Sequence, residues 1–297
     1  MRQALSAGML LFAFAIYSAG AQDLSVSYAE GDAQVQKGSS LVALSIGDRL
    51  SLQATIRLSD NAYVELKRAN SKIVLSQKGT YVLRDLLASS RTLDSAGAEK
   101  AILATLYSLL IGPAGNQSTA AGMRGANEAK SEDSGWVTSS AQVFLDAGKQ
   151  YLQSGQYSEA IEQFHQAHDA ATEKESPQVQ YYLAYAYSLC GNTREALKQA
   201  EGLQPSGADE WTPDFIILKA KLLVDSSAFA QEVAWLTQGG NDLSGDAQRA
   251  ALYNFLLGVG YRGVGDTANA KANLLKVVAI SAESDLGKVA AQLLQNQ

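Results

Sequence analysis

Gly155-Gln156-Tyr157-Ser158-Glu159-Ala160-Ile161, Gly191-Asn192-Thr193-Arg194-Glu195-Ala196-Leu197 and Gly265-Asp266-Thr267-Ala268-Asn269-Ala270-Lys271 are three versions of one phrase. Their glycines stand 36 and then 74 residues apart, and 74 is two steps of 37. A period of that length marks stacked helical hairpins, none of which can bury its apolar face alone. The spacing predicts four hairpins, the third degenerate. Around the first turn the apolar residues recur with helical period: Phe144, Ala147, Gly148, Tyr151 and Leu152 before it, Ala160, Ile161, Phe164 and Ala167 after it. Small residues at Gly148 and Ala160 let the two helices approach, and Tyr151, Tyr157 and Phe164 fill the space that remains. Gly155 ends the first helix and lets the chain reverse. In the third hairpin Leu218, Leu222, Phe229, Val233 and Leu236 fit two helices between Pro213 and Gly239, without a turn glycine. Ser281 to Gln297 is predicted to be a terminal capping helix.

Gly148, Tyr151, Gly155, Tyr157, Ala160, Phe164 and Ala167 meet, in order, the series of the tetratricopeptide repeat, which residues 141–297 resemble. The second repeat supplies Ala184, Tyr187, Gly191 and Ala196 but has Thr193 and Ala200 where aromatics are usual. The last supplies Gly258, Tyr261, Gly265, Ala270 and Leu274. The resemblance implies an α-helical solenoid whose concave face, lined by the first helix of each hairpin, binds other proteins. On that reading Lys149, Gln153, Gln178, Tyr181, Tyr185, Phe255 and Arg262 form a partner-binding groove. Tyr181 and Tyr185, four apart, share a helical face. With Phe255 they either anchor an extended or helical partner segment or pack within the array.

Residues 22–82 read differently. Short runs alternate apolar and polar residues between turns at Gly31-Asp32, Gly38-Ser39, Gly47-Asp48, Asp60-Asn61, Asn70-Ser71 and Lys78-Gly79. Ala62, Val64 and Leu66 share one face, Tyr63, Glu65 and Lys67 the other, and Ile73 and Leu75 repeat the pattern, so a small sandwich or sheet stack is predicted. Glu30-Gly31-Asp32-Ala33-Gln34-Val35, Ile46-Gly47-Asp48-Arg49-Leu50, and Ala62-Tyr63-Val64-Glu65-Leu66 with Lys72-Ile73-Val74-Leu75 resemble the FecR-like domain. Arg68-Ala69-Asn70-Ser71 stands where that family has an Asp-Gly-Ser turn, and Arg57-Leu58-Ser59-Asp60 replaces its threonine turn. The resemblance implies an extracytoplasmic β domain for binding or sensing, with no catalytic group. The fold class is therefore α+β in two domains, a small all-β FecR-like domain and an α-helical tetratricopeptide-repeat solenoid.

Between them, residues 83–111 read as helical. Leu83, Leu86 and Leu87 begin an apolar stripe that continues through Ile102, Leu103, Leu106, Leu109 and Leu110, and this face is expected to pack on the β domain. Residues 112–140 have the Gly, Ser and Ala-rich composition of a linker. Within it Ala121-Gly122-Met123-Arg124-Gly125-Ala126 is similar to a Gly-Val-Arg-Gly segment of some FecR-like proteins, and that resemblance leaves open a return to the sheet as a late strand, a flexible linker being the other reading. At the start of the chain, Arg2, the apolar run Ala7 to Ser18 and Ala19-Gly20-Ala21 form an export signal over residues 1–21 with Gln22 first in the mature chain. The run is shorter than the ~20 residues that span a bilayer.

The 297 residues are 46% hydrophobic and carry a net charge of -6, which argues against nucleic acid as a partner. The lone Cys190 is expected to pack as a small hydrophobe, a reactive or intermolecular thiol being the alternative. His165 and His168 have no third ligand spaced nearby, and Glu30/Asp32 and Asp209/Glu210 lie in turns. With no phosphate loop or nucleophile elbow either, no catalytic, cofactor-binding or metal site is expected and the chain is read as not an enzyme. The reading is an exported, periplasmic or otherwise extracytoplasmic scaffold, with no transmembrane span. It binds protein partners of an envelope-associated assembly, and peripheral association with membrane assemblies is open. The alternative is a cell-wall or glycan-binding sensor that uses the β domain, with the repeats as spacer.

Overall fold

The structure, a computed structural model, describes residues 24–68, 71–87, 97–111, 139–205, 209–239 and 246–295. The export signal predicted over residues 1–21 lies outside them, as does the predicted linker through residue 138.

The β unit is two four-stranded antiparallel sheets. One has the order β4 (Arg49–Leu50), β1 (Leu24–Glu30), β6 (Tyr63–Arg68), β7 (Ser71–Leu75). The other has the order β3 (Ser40–Ala43), β2 (Ala33–Lys37), β5 (Thr55–Leu58), β8 (Gly79–Val82). Val26, Val64, Leu66, Ile73 and Leu75 point inward from the first sheet and meet Val35, Ile56 and Leu58 from the second. This is the period of two expected of a face that meets a core. Val64 pairs with Leu75 and Leu66 with Ile73 across β6 and β7, so the register is held by apolar neighbours. Leu83 and Leu87 close this core.

Among the described residues, nine helices from Ser140 onward form the array: α2 (Ser140–Gln153), α3 (Tyr157–Ala170), α4 (Ser176–Leu189), α5 (Thr193–Ala200), α6 (Thr212–Asp225), α7 (Phe229–Gly239), α8 (Ala247–Gly263), α9 (Thr267–Ser281) and α10 (Asp285–Gln295). Each packs on the next in chain order, and α4 also meets α6 and α6 meets α8, so the first helices of the second, third and fourth hairpins form one continuous wall. Side chains cap several starts: Ser139 accepts from the Gln142 amide, Asn192 from Glu195, Asp246 from Gln248 and Arg249, and Asp266 from Asn269. The last helix begins later than the predicted Ser281, because α9 continues to that residue and the Ser284 hydroxyl then accepts from the Gly287 amide.

All four hairpin turns share one geometry. Gly155, Gly191 and Gly265 have φ of 73°, 69° and 83°. The third turn places Ser227 at φ 57° instead. Its amide donates to Val224 O at 2.9 Å and that of Ala228 to Leu223 O at 2.8 Å. The pair matches the bonds from Gly155 to Leu152 and from Gln156 to Tyr151. Ser227 thus does the glycine's work in a left-handed conformation that costs a side-chain-bearing residue about 1 kcal/mol. Ser227→Gly is expected to raise stability by roughly 0.5–1 kcal/mol, seen as a higher urea midpoint. An unchanged or lower midpoint would mean that the serine is not strained there.

The same register explains why the third hairpin is hard to read. The close-approach position is Gly148, Ala184, Ala220 and Gly258, all small. The facing position is Ala160, Ala196, Glu232 and Ala270: a glutamate stands where the other hairpins bury alanine. Glu232 is itself completely buried.

A first helix, α1 (Ala98–Ile111), corrects an expectation. Of the apolar stripe predicted over 83–111 to pack on the β domain, only the beginning, Leu83 to Leu87, does so. Ala98, Ala101, Ile102 and Leu106 belong to the core of the helical array. Residues 88–96, which connect the two, lie outside the described residues. The reason is complementarity: the apolar stripe of this helix finds more apolar surface against α6, α8 and α10 than against a small sandwich.

The β unit lies against the second helices of the array. Arg194 on α5 pairs with Glu30 and sits 5.2 Å from the Tyr28 ring, and Gln231 on α7 donates to Gln77 at 2.6 Å. This docking buries what the alternation assigned to the outer face of β6: Tyr63 is only 7% exposed and meets Tyr28 edge to face at 6.0 Å.

Candidate functional site

The wall formed by α4, α6 and α8 is the candidate interaction surface; of the seven residues predicted for the groove, Lys149 and Gln153 stand on α2 beside it, and the seven divide into two sets. Tyr181, Tyr185 and Phe255 are buried. Lys149, Gln178 and Arg262 are half-buried, and Gln153 is exposed.

Of the buried rings, Tyr181 belongs to an aromatic ladder running between hairpins. Phe164 stacks on Tyr182 at 5.6 Å, Tyr182 meets Tyr181 at 4.9 Å, and Tyr181 stacks on Trp211 at 5.3 Å. Phe215 continues the series to Trp235, whose indole donates to Ile216 O at 2.9 Å. Offset and edge-on pairs at these separations add to the burial energy of the rings. Burial is the largest cause that pushes the hydroxyls of Tyr181 and Tyr185 well above the usual tyrosine range. Of the two roles left open for these rings, packing within the array is the one this conformation displays. The spacing of Tyr181 and Tyr185 places them on one face of α4 and leaves both roles open, because periodicity within one helix does not say what meets that face. Trp211 and Trp235, which the sequence reading passed over, carry much of the ladder.

The polar members are also engaged. Lys149 Nζ lies 4.8 Å from the Tyr182 ring and 3.6 Å from Asp146. Arg262 donates to Leu293 O at 3.2 Å and so ties α8 to the capping helix. A pair that sequence reasoning missed joins the third and fourth hairpins: Arg249 Nε donates to Asp214 Oδ1 at 2.7 Å and its Nη2 to Oδ2 at 3.2 Å. This two-pronged geometry suits a guanidinium facing a carboxylate.

What covers the α6 and α8 part of the wall is α1, which also meets α10. Tyr107 donates through its hydroxyl to Gln153 O at 3.0 Å, reaching the first hairpin, while Ile102 and Leu106 are buried farther along. Two hollows flank the helix. One, of about 220 Å³, lies between Ala101, Ala104 and Ser108 of α1 and Ala251, Ile280 and Leu286 of the array. The other, of about 520 Å³, is open and lined by Lys100, Leu103, Ala104, Tyr107, Tyr157 and Leu189.

Cys190, expected to pack as a small hydrophobe, is exposed, because it caps α4 and the chain turns away at Gly191. His165 faces Tyr187, with Nε2 2.9 Å from the hydroxyl. No group of three or more His, Cys, Asp or Glu side chains is placed to hold a metal among the described residues. None of the described helices is long and apolar enough to cross a membrane.

Comparison with known proteins bears on the array. Two solved structures are similar over 52% of this chain. The fragment "MamA 41-end from Desulfovibrio magneticus RS-1" has 16% identity, 92% of that chain covered and a TM-score of 0.40. The "MamA RS-1 ArsTM double mutant" has 17% identity, 90% covered and a TM-score of 0.39. No curated protein matches. The family model of the tetratricopeptide repeat matches residues 151–222, from the last turn of α2 into α6. The helical half therefore contains a tetratricopeptide-repeat segment, and that repeat implies a protein-interaction scaffold.

Proposed function

We propose that this chain is a non-enzymatic, exported adaptor that binds other proteins on the wall formed by α4, α6 and α8, within an envelope-associated assembly. The observation that carries the reading is α1: an apolar helix already lies against that wall, so the surface suits a helical polypeptide. Export rests on the sequence of residues 1–21, and the sensing or binding role of the β unit on its resemblance to the FecR-like domain. The predicted groove needs one revision. Tyr181, Tyr185 and Phe255 are buried and leave the contact surface, while Gln178 on α4 and, on the neighbouring α2, Lys149 and Gln153 remain as its accessible polar residues. A second reading, the glycan-binding sensor, is favoured by a polar cleft of about 460 Å³ on the β2-β5-β8 sheet, where Asp32, Gln34, Arg57, Ser59 and Lys78 converge.

Photo-crosslinking in cells tests the adaptor. A photoreactive residue at Gln178 is expected to capture a discrete protein, and the same group at Glu162 on the far helix of the first hairpin is not. The added charge reversal Lys149→Glu is expected to reduce capture several-fold. Equal capture at both positions, unaffected by Lys149→Glu, would retire the wall as the binding surface. The mature protein is expected to begin at Gln22 in the extracytoplasmic fraction, and an intact Met1 in the purified cellular protein would retire export.

A further inference from the structure

The manner in which α1 occupies the wall says more about what belongs there. The helix buries Ala98, Ala101, Ile102 and Leu106, a spacing of three, one and four that makes one narrow apolar stripe. Among its described side chains, Tyr107 makes a hydrogen bond to the array, donating to Gln153 O. Thr105 and Ser108 turn their hydroxyls back onto α1 itself, to Ala101 O at 2.8 Å and Thr105 O at 2.8 Å. The docking is therefore almost wholly apolar, and its specificity lies in shape. The shape is incomplete, because Ala104 is exposed and borders both hollows, while Ala101 and Ser108 leave the smaller one unfilled. Both hollows are partly open to solvent. A helix with the same stripe and larger aliphatic side chains at the positions of Ala104 and Ser108 would bury more surface on the same wall.

We propose that α1 is a displaceable, built-in occupant of the wall, and that the partner is an amphipathic helix repeating its stripe with larger aliphatic residues where α1 has Ala104 and Ser108. This rests on the wall being the binding surface. The undersized helix keeps the wall covered while the protein is alone, when three apolar strips would otherwise face water. It yields to a better-fitting helix because a tethered competitor lowers the partner's affinity only by the fraction of time it is docked.

The test uses the full chain and a fluorescent peptide of residues 97–111 carrying Ala104→Leu. Ile102→Glu/Leu106→Glu places two carboxylates in apolar surroundings and should expel α1. Ala104→Leu in the protein should hold it in place. The expelled variant is expected to keep the ellipticity of the array and to bind the peptide at least about tenfold more tightly than the wild type. The Ala104→Leu protein is expected to bind it several-fold more weakly. Equal affinity in all three proteins would overturn displacement while leaving the wall as a binding surface. Collapse of the array in the expelled variant would overturn it too, since α1 would then be part of the fold. A folded expelled variant that binds no peptide would retire both displacement and the wall. A wild-type dimer with exchanged α1 helices would overturn the assignment to a separate partner, since a second copy would be the occupant.

Discussion

Glu232→Gln is expected to abolish most of the pH dependence of the helical array between about pH 5 and pH 9. Glu232 is completely buried, and neither carboxyl oxygen has a hydrogen-bond partner among the described residues. Burial pushes its carboxyl up to about 9. In the unfolded chain it titrates near the ordinary glutamate value of about 4.3. A folded-state value above the unfolded one means stability that is full below about pH 4.5 and is lost as pH rises toward 9. The wild-type array should therefore weaken by about 1.4 kcal/mol per pH unit through that window, roughly 4 kcal/mol by neutral pH. Glutamine keeps the shape and removes the ionisation. Its urea midpoint should be nearly flat across the same range and above the wild type's at pH 8. Parallel pH profiles for the two proteins would show that Glu232 is hydrated or paired in solution.

The glutamate is tolerated because the next hairpin leaves room for it. A Cβ built on Gly260 would stand 1.6 Å from Glu232 Oε2, so Gly260→Ala is incompatible with the present packing. The seam between the third and fourth hairpins is thus built around a neutral carboxylic acid in place of the alanine found at 160, 196 and 270.

Gly148→Ala is expected to produce the second large effect, a loss of about 2–4 kcal/mol. The added Cβ would lie 2.3 Å from Phe164 Cε1 and 2.5 Å from Cδ1, well inside contact distance. The ring has no exposed surface and is stacked on Tyr182, so it has nowhere to retreat. Phe164→Leu alone should also cost stability by leaving a void. Because the two residues share one space, the double variant should be markedly less unstable than the sum of the singles. Additive losses by chemical denaturation would mean that α2 and α3 separate to absorb the methyl group, contrary to the rigid contact described above.

Much of the architecture was legible because it is local and periodic. Three turn glycines and the apolar spacing around them led to four hairpins, and the alternation over Ala62 to Leu66 led to a half-buried strand. Both signals reflect how side chains distribute around a single element. The third hairpin was blurred at two points, Ser227 and Glu232, and each became readable once its register was known. Ser227 stands 36 residues after Gly191 and 38 before Gly265, a signal that period alone contains.

The sequence by itself determined which segments are helical or extended, where the chain reverses, and which face of each helix is apolar, because those properties follow from neighbours a few residues apart. Only the tertiary structure decided what each apolar face meets. α1 left the β unit for the wall of the array, Tyr63 was covered from its outer side, and Tyr181, Tyr185 and Phe255 became buried within the array. Apolar burial is non-directional and scales with area, so a stripe of leucines states that it will be covered without stating by what.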